Sequence, residues 1–174
     1  MKSLFSLICI SFFVCTYSYN QSAQELTDRC MIKKATGDYR GAIADCTKAI
    51  ELDPDCVYAF RFRGYSKYEI GDFQGAKSDF TKAIEMDSNN AIPFRYRGYS
   101  KHEIGDYKGA IADCTKAIEL DPNSALTYFY RGLSKLAKNQ KDSGCLDLSV
   151  AVDLGLHRDH EMIRAHELIR DHCN

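Results

Sequence analysis

One phrase of this chain returns every 34 residues. Gly37-Asp38-Tyr39, Gly71-Asp72-Phe73 and Gly105-Asp106-Tyr107 open it, and Asp53-Pro54, Asp87-Ser88 and Asp121-Pro122 close it. Residues 37–55 and 105–123 agree at 17 of 19 positions, the differences being Arg40/Lys108 and Asp55/Asn123. A period of this length belongs to stacked helical hairpins, none of which can bury its apolar face alone. Such an array presents an extended surface. A binding function is therefore expected before a catalytic one.

Composition narrows the class of partner. The 23 basic and 24 acidic side chains are interleaved, and no basic stripe of the kind that tracks nucleic acid is present. An apolar content of 45% suits a folded chain. The first residues read separately from the rest. Lys2 is followed by an apolar run from Leu4 to Cys15, broken by Ser6 and Ser11, and then by small and polar residues from Thr16 to Ala23. That order is expected of a cleavable secretory signal over residues 1–22, with cleavage after Ser18 or Ala23. The run is too short for a membrane span, which needs about 20 residues. No stable span is expected once the signal is gone. Val14 before Cys15 disfavours lipidation.

The unit 57–90 shows how each hairpin is encoded. Val57 to Ile70 places Phe60, Gly64, Lys67 and Tyr68 at helical spacing. Gly71 stops that helix because glycine accepts the left-handed cap. Asp72 caps a second helix, Phe73 to Met86, whose apolar stripe is Ala76, Phe80, Ala83 and Ile84. Pro54 and Pro122 forbid helix continuation at the neighbouring junctions. Gly64, Ala76 and Ala83 are small where two helices must approach, as are Gly98, Ala110 and Ala117, and Cys30, Ala42 and Ala49.

This recurring pattern resembles the tetratricopeptide repeat family over residues 23–158. The ending from Gly144 to Asn174 resembles the tail of exported bacterial repeat proteins. The resemblance implies an all-α, right-handed solenoid. Its units are 23–56, 57–90, 91–124 and a degenerate 125–158, where Asn139-Gln140 replaces Gly-Asp. A capping helix at 159–174 closes it, read in the sequence as His157 to Cys173. In this family the first helix of each hairpin lines the concave face. The exposed groove residues are then Tyr58, Arg61, Tyr65, Tyr68 and Glu69, followed by Ile92, Arg95, Tyr99, His102 and Glu103, and finally Phe129, Leu133 and Leu136. Tyrosine and arginine dominate interface hot spots, and arginine forks onto carboxylates, so an extended protein segment with acidic groups fits such a face. The same aromatics could instead pack between hairpins under arginine stems. Some relatives grip a chaperone's terminal carboxylate with lysine, asparagine and arginine. The corresponding places here hold Thr27, Met31, Phe62, Ile92 and Tyr96, so that clamp is not expected.

Without the signal, six cysteines remain. Cys30 and Cys46 lie on opposite arms of one hairpin and could meet, and Cys145 could meet Cys173 and staple the closing helix. An exported protein can oxidise both pairs. Cys114 occupies a core position, and Cys56 sits at a junction with no obvious partner. His157, His160, His166 and His172 cluster near Cys173, but His166 and His172 face nearly opposite sides of a helix, and solvated histidines account for them. There is no CxxC, phosphate loop or nucleophile elbow, and neither an enzyme nor a cofactor is expected. Asp45 and Asp113 are expected on the exposed face of their helices. The expected role is an exported scaffold or adaptor for a protein or peptide partner. Its alternatives are a structural subunit of a larger envelope assembly and an envelope metal binder using the C-terminal histidines.

Overall fold

The computed structural model describes residues 22–156 and 159–173. The apolar run at 4–15 and His157 lie outside them. Among the described residues there are nine α-helices and no strand: α1 (Ala23–Ala35), α2 (Tyr39–Leu52), α3 (Val57–Glu69), α4 (Phe73–Met86), α5 (Ala91–Glu103), α6 (Tyr107–Leu120), α7 (Ala125–Ala137), α8 (Lys141–Asp153) and α9 (Asp159–His172). No described helix is long and apolar enough to cross a membrane.

Local chemistry sets each hairpin. Gly71 turns the chain at φ +82°, a conformation that glycine adopts without strain. Asp72 then accepts a hydrogen bond from the Gly75 backbone N–H at 2.9 Å, filling one orphan donor of α4. Asp38 and Asp106 do the same for Gly41 and Gly109. In the degenerate unit Asn139 takes the left-handed turn at φ 59°, which asparagine tolerates better than most residues. Gln140 replaces the capping aspartate there and its side chain makes no cap hydrogen bond.

The two arms of each hairpin meet through small side chains. A Cβ at Gly98 would lie 2.8 Å from the Cys114 sulfur, so only glycine fits at that backbone approach. In the first hairpin the same pair of positions holds Cys30 and Cys46, which form a disulfide with their Cα atoms 5.5 Å apart. Ala76, Ala83, Ala110 and Ala117 are fully buried along the same seams.

Beside this seam runs a set of ion pairs. Asp45 and Asp113, expected on exposed faces, are buried, with 4% and 5% of their surface accessible. Each carboxylate turns inward because two cations on the preceding helix reach it. Arg29 and Lys33 hold Asp45, and Arg97 and Lys101 hold Asp113. The other hairpins repeat this with Arg63, Lys67 and Asp79, and with Arg131, Lys135 and Asp147. The arginine fork is bidentate, through Nε and Nη2, at 2.7–2.9 Å in the Arg63–Asp79 pair. The remaining Nη1 of Arg63, Arg97 and Arg131 donates to Thr47, Thr81 and Thr115 of the preceding hairpin. One guanidinium thus ties two arms of its own unit and reaches into the unit before it.

The stack curves. First helices of successive hairpins touch one another, α1 to α3, α3 to α5 and α5 to α7, whereas no comparable contact joins the second helices among the described residues. The first helices therefore form the inner face. At the end of the described stack α9 packs on α8, with Ala165 fully buried, and the Cys145–Cys173 disulfide joins the two helices.

Removing one ladder carboxylate leaves two cations facing each other beside the core. Asp79→Ala is expected to cost about 1.5–3 kcal/mol, as for a lost charged hydrogen bond. A fully buried pair would cost more, but Arg63 and Lys67 keep 16% and 19% of their surface in solvent. Urea denaturation measures it, and an unchanged midpoint would show that the ladder carries no stability. The pH dependence follows from Asp45. The Arg29 hydrogen bond, with help from Lys33, lowers its carboxyl from 3.8 to about 2. A depressed carboxyl stabilises the fold above its unfolded value and loses that contribution as pH falls. Asp45→Asn is thus expected to flatten the acid limb of the melting curve between pH 3.8 and about 2, read by circular dichroism.

Candidate binding groove

Residues 34 apart occupy equivalent places on the inner face, and the structure shows how differently they are used. At one such position Met31 is 44% exposed and Tyr65 is half-buried, but Tyr99 is 1% and Leu133 6% exposed. At this position the inner face is open on α1 and α3 and closed on α5 and α7.

Three residues expected on the open face are therefore core. Tyr99 stacks on Tyr130 with ring centroids 4.4 Å apart. Its hydroxyl hydrogen-bonds Thr127 Oγ1 at 2.7 Å, and burial raises its pKa above the ordinary phenol value. Tyr68 and Tyr130, from hairpins two units apart, hydrogen-bond hydroxyl to hydroxyl at 2.9 Å. That bridge crosses the inner face of α5. Phe129 is fully buried against Tyr130, and Leu133 belongs to the same cluster. The packing alternative holds for all three. His102 is half-buried, with Nδ1 2.8 Å from Ser134 Oγ. Burial first, and Arg164 second, push its imidazole down to about 4, so it is neutral at physiological pH.

The open part is a concavity of about 220 Å³ between α1, α3 and α5. Phe62, Tyr65, Phe80, Ile92 and Tyr96 supply its apolar walls, and Lys34, Arg61 and Arg95 supply charge. The Lys34 ammonium sits 5.2 Å from the Phe62 ring centre and 4.9 Å from that of Tyr65. The Arg61 guanidinium lies over Tyr58, which is itself exposed. Arg95 pairs with Asp121 through Nη2. Yet the Nε atoms of both Arg61 and Arg95 are buried without an acceptor. Glu69 Oε1 is likewise buried without a partner. Among the described residues no other side-chain nitrogen or oxygen is left in that condition. Four expected groove residues, Arg61, Tyr65, Ile92 and Arg95, thus converge with Phe62 and Tyr96, while Tyr58 flanks Arg61. Lys34 was not singled out from the sequence. Its register would have found it, because it occupies the place of Tyr68 and His102 in the next two units.

A larger cavity, about 580 Å³, lies where α7 meets α9 and is lined by His102, Leu133, Leu136, Arg164 and Leu168, among others. It holds none of the orphaned polar atoms. The two remaining described cysteines are Cys56, half-buried and 3.5 Å from the Thr27 hydroxyl, and Cys114, whose thiol burial pushes up to about 12. Among the described residues no three His, Cys, Asp or Glu side chains converge as a metal site would require.

A curved stack of helix pairs with an inner groove defines a helical-repeat solenoid. Residues 32–91 and again 63–125 match the tetratricopeptide repeat profile, more than half of the chain, and the protein belongs to that family. Solved structures share the fold. A crystal structure of MamA protein superposes with a TM-score of 0.72 at 22% identity, over 83% of this chain and 81% of that one. MamA 41-end from Desulfovibrio magneticus RS-1 gives 0.73 at 17% identity, over 81% and 80%. The first repeat domain of Spaghetti (RPAP3), bound to the HSP90 peptide SRMEEVD, gives 0.65 at 22% identity, over 68% and 94%. No curated protein matches the chain significantly in sequence.

The burial of Tyr99 reverses what its register suggested for mutation. Tyr99→Ala is expected to destabilise the fold by about 3–5 kcal/mol, as for truncation of a large core aromatic. A thermal melt indistinguishable from wild type would return Tyr99 to the surface.

Proposed function

We propose that the protein is a non-catalytic adaptor that holds an extended segment of another protein in the open half of its inner groove, and that it works outside the cytoplasm. The observation that carries the groove reading is the pairing of exposed apolar side chains, Tyr58 and Ile92, with two buried guanidinium nitrogens that lack acceptors. Each such donor costs free energy while it lacks an acceptor, and an acceptor entering the groove reaches it once the arginine side chain shifts outward. The RPAP3 domain, of the same fold and bound to a peptide, supports a peptide-holding role. The export reading is supported by the apolar segment at Leu4–Cys15 and by two cysteine pairs at bonding distance, which persist in oxidising compartments.

A photo-crosslinking residue placed at Tyr58 beside Arg61 at the groove edge, or at Lys82 on the exposed face of α4, tests this in the native host. A discrete protein adduct from position 58, absent from position 82, is expected by mass spectrometry. Equal adducts from both, or none from position 58, would remove the groove from the account.

A further inference from the structure

We infer that the pocket of Lys34, Arg61 and Arg95 is a receptor for an acidic side chain, an aspartate or glutamate within an extended peptide flanked by an apolar residue. This rests on the groove reading above and specifies its ligand. Bidentate capture of a carboxylate uses a guanidinium Nε–H together with an Nη–H. Every ladder arginine already spends its Nε on an aspartate. Arg61 and Arg95 do not; their Nε atoms are buried and unpaired, so a carboxylate engages them as the side chains swing toward the pocket, with Arg95 Nη2 shared with Asp121. Arg61 has no carboxylate partner among the described residues, and its contact is the Tyr58 ring. Lys34 stands over the two aromatic rings at the pocket edge and adds a third positive group.

The surroundings select among anions. Five of the eight lining side chains are apolar or aromatic, so a group entering here loses water and its charge is felt strongly. The space, about 220 Å³, takes one or two side chains and excludes a folded element. Glu69, with its own orphaned oxygen, lies eight residues along α3, about 12 Å by helix rise. It repels a second acidic group at that end. The charge is also local to two hairpins. The places of Arg61 and Arg95 are taken in the flanking units by Thr27 and Phe129, both buried.

Three short synthetic peptides of one background sequence, all N-acetylated, test this against the full chain. The first carries Asp-Glu-Leu at its centre and an amidated end. The second carries Asn-Gln-Leu and an amidated end. The third carries Asn-Gln-Leu and a free terminal carboxylate. Binding is read by fluorescence anisotropy and by the ¹⁵N side-chain Nε–H resonances of Arg61 and Arg95. The first peptide is expected to shift both resonances and to bind about tenfold tighter than the second, as charge-assisted contacts supply. Arg61→Gln should erase that preference while the melting curve stays in place. Should Arg61→Gln fail to fold, Lys34→Gln on the pocket edge is expected to reduce the preference without that complication. Equal binding of the first two peptides, no binding, or binding of the third alone overturns the proposal. If a partner crosslinks at position 58 and yet none of these peptides shows the preference, the adaptor reading stands and the acidic-side-chain reading falls.

Discussion

The ion-pair ladder holds this fold to one register. In every hairpin an arginine and a lysine on the first helix converge on one buried aspartate of the second. Shifting either helix by one turn would leave a carboxylate buried among apolar atoms with no cation near it, which is far costlier than the pair is favourable. The close approach of Gly98 to Cys114 constrains the same register, and the forked hydrogen bond adds direction to it. Because three of the arginines also donate to a threonine of the preceding unit, the same contact fixes how hairpins stack. The curvature of the inner face follows from that stacking, and the groove follows from the curvature.

Most of the architecture was legible in the sequence because each turn and cap is written locally. Gly71 and Asp72 act within a few residues of themselves, and a period of 34 carries them along the chain. The ladder was misread for an instructive reason. A repeated aspartate looks like a solvated face until its partner is sought across the hairpin. Arg29 and Asp45 are 16 apart, the same separation as Cys30 and Cys46 one position along. The geometry that suggested the cysteine pair would have suggested the ion pair. Tyr99 failed differently. Its register with Tyr65 was correct, but its fate depends on the Tyr68–Tyr130 bridge, whose partners lie 62 residues apart. No period announces a contact between units that are not neighbours.

Near-identical repeats have thus produced an unequal surface. The second helices, which carry the ladder aspartates, scarcely vary between residues 37–55 and 105–123. Variation falls on the first helices, where Met31, Tyr65, Tyr99 and Leu133 occupy one register. One end of the groove is filled by the protein's own rings, and the other keeps cations waiting beside aromatic walls. The frame is shared with the tetratricopeptide family, and the site is particular to the side chains this chain places on it.

The two disulfides bind the first hairpin of the described stack and its last helix pair, while the interior units are joined by non-covalent contacts alone. A linear array of repeats ordinarily frays, since a terminal unit has one neighbour where an inner unit has two. Each bond closes the two helices of one terminal pair on each other, so the arms of that pair cannot separate even when its single neighbour is lost. A terminal pair that undocks therefore leaves as a closed unit, with its two helices still held in register. A ligand seated between Lys34 and Arg95 would touch three successive hairpins and so tie the first closed unit to the two that follow it.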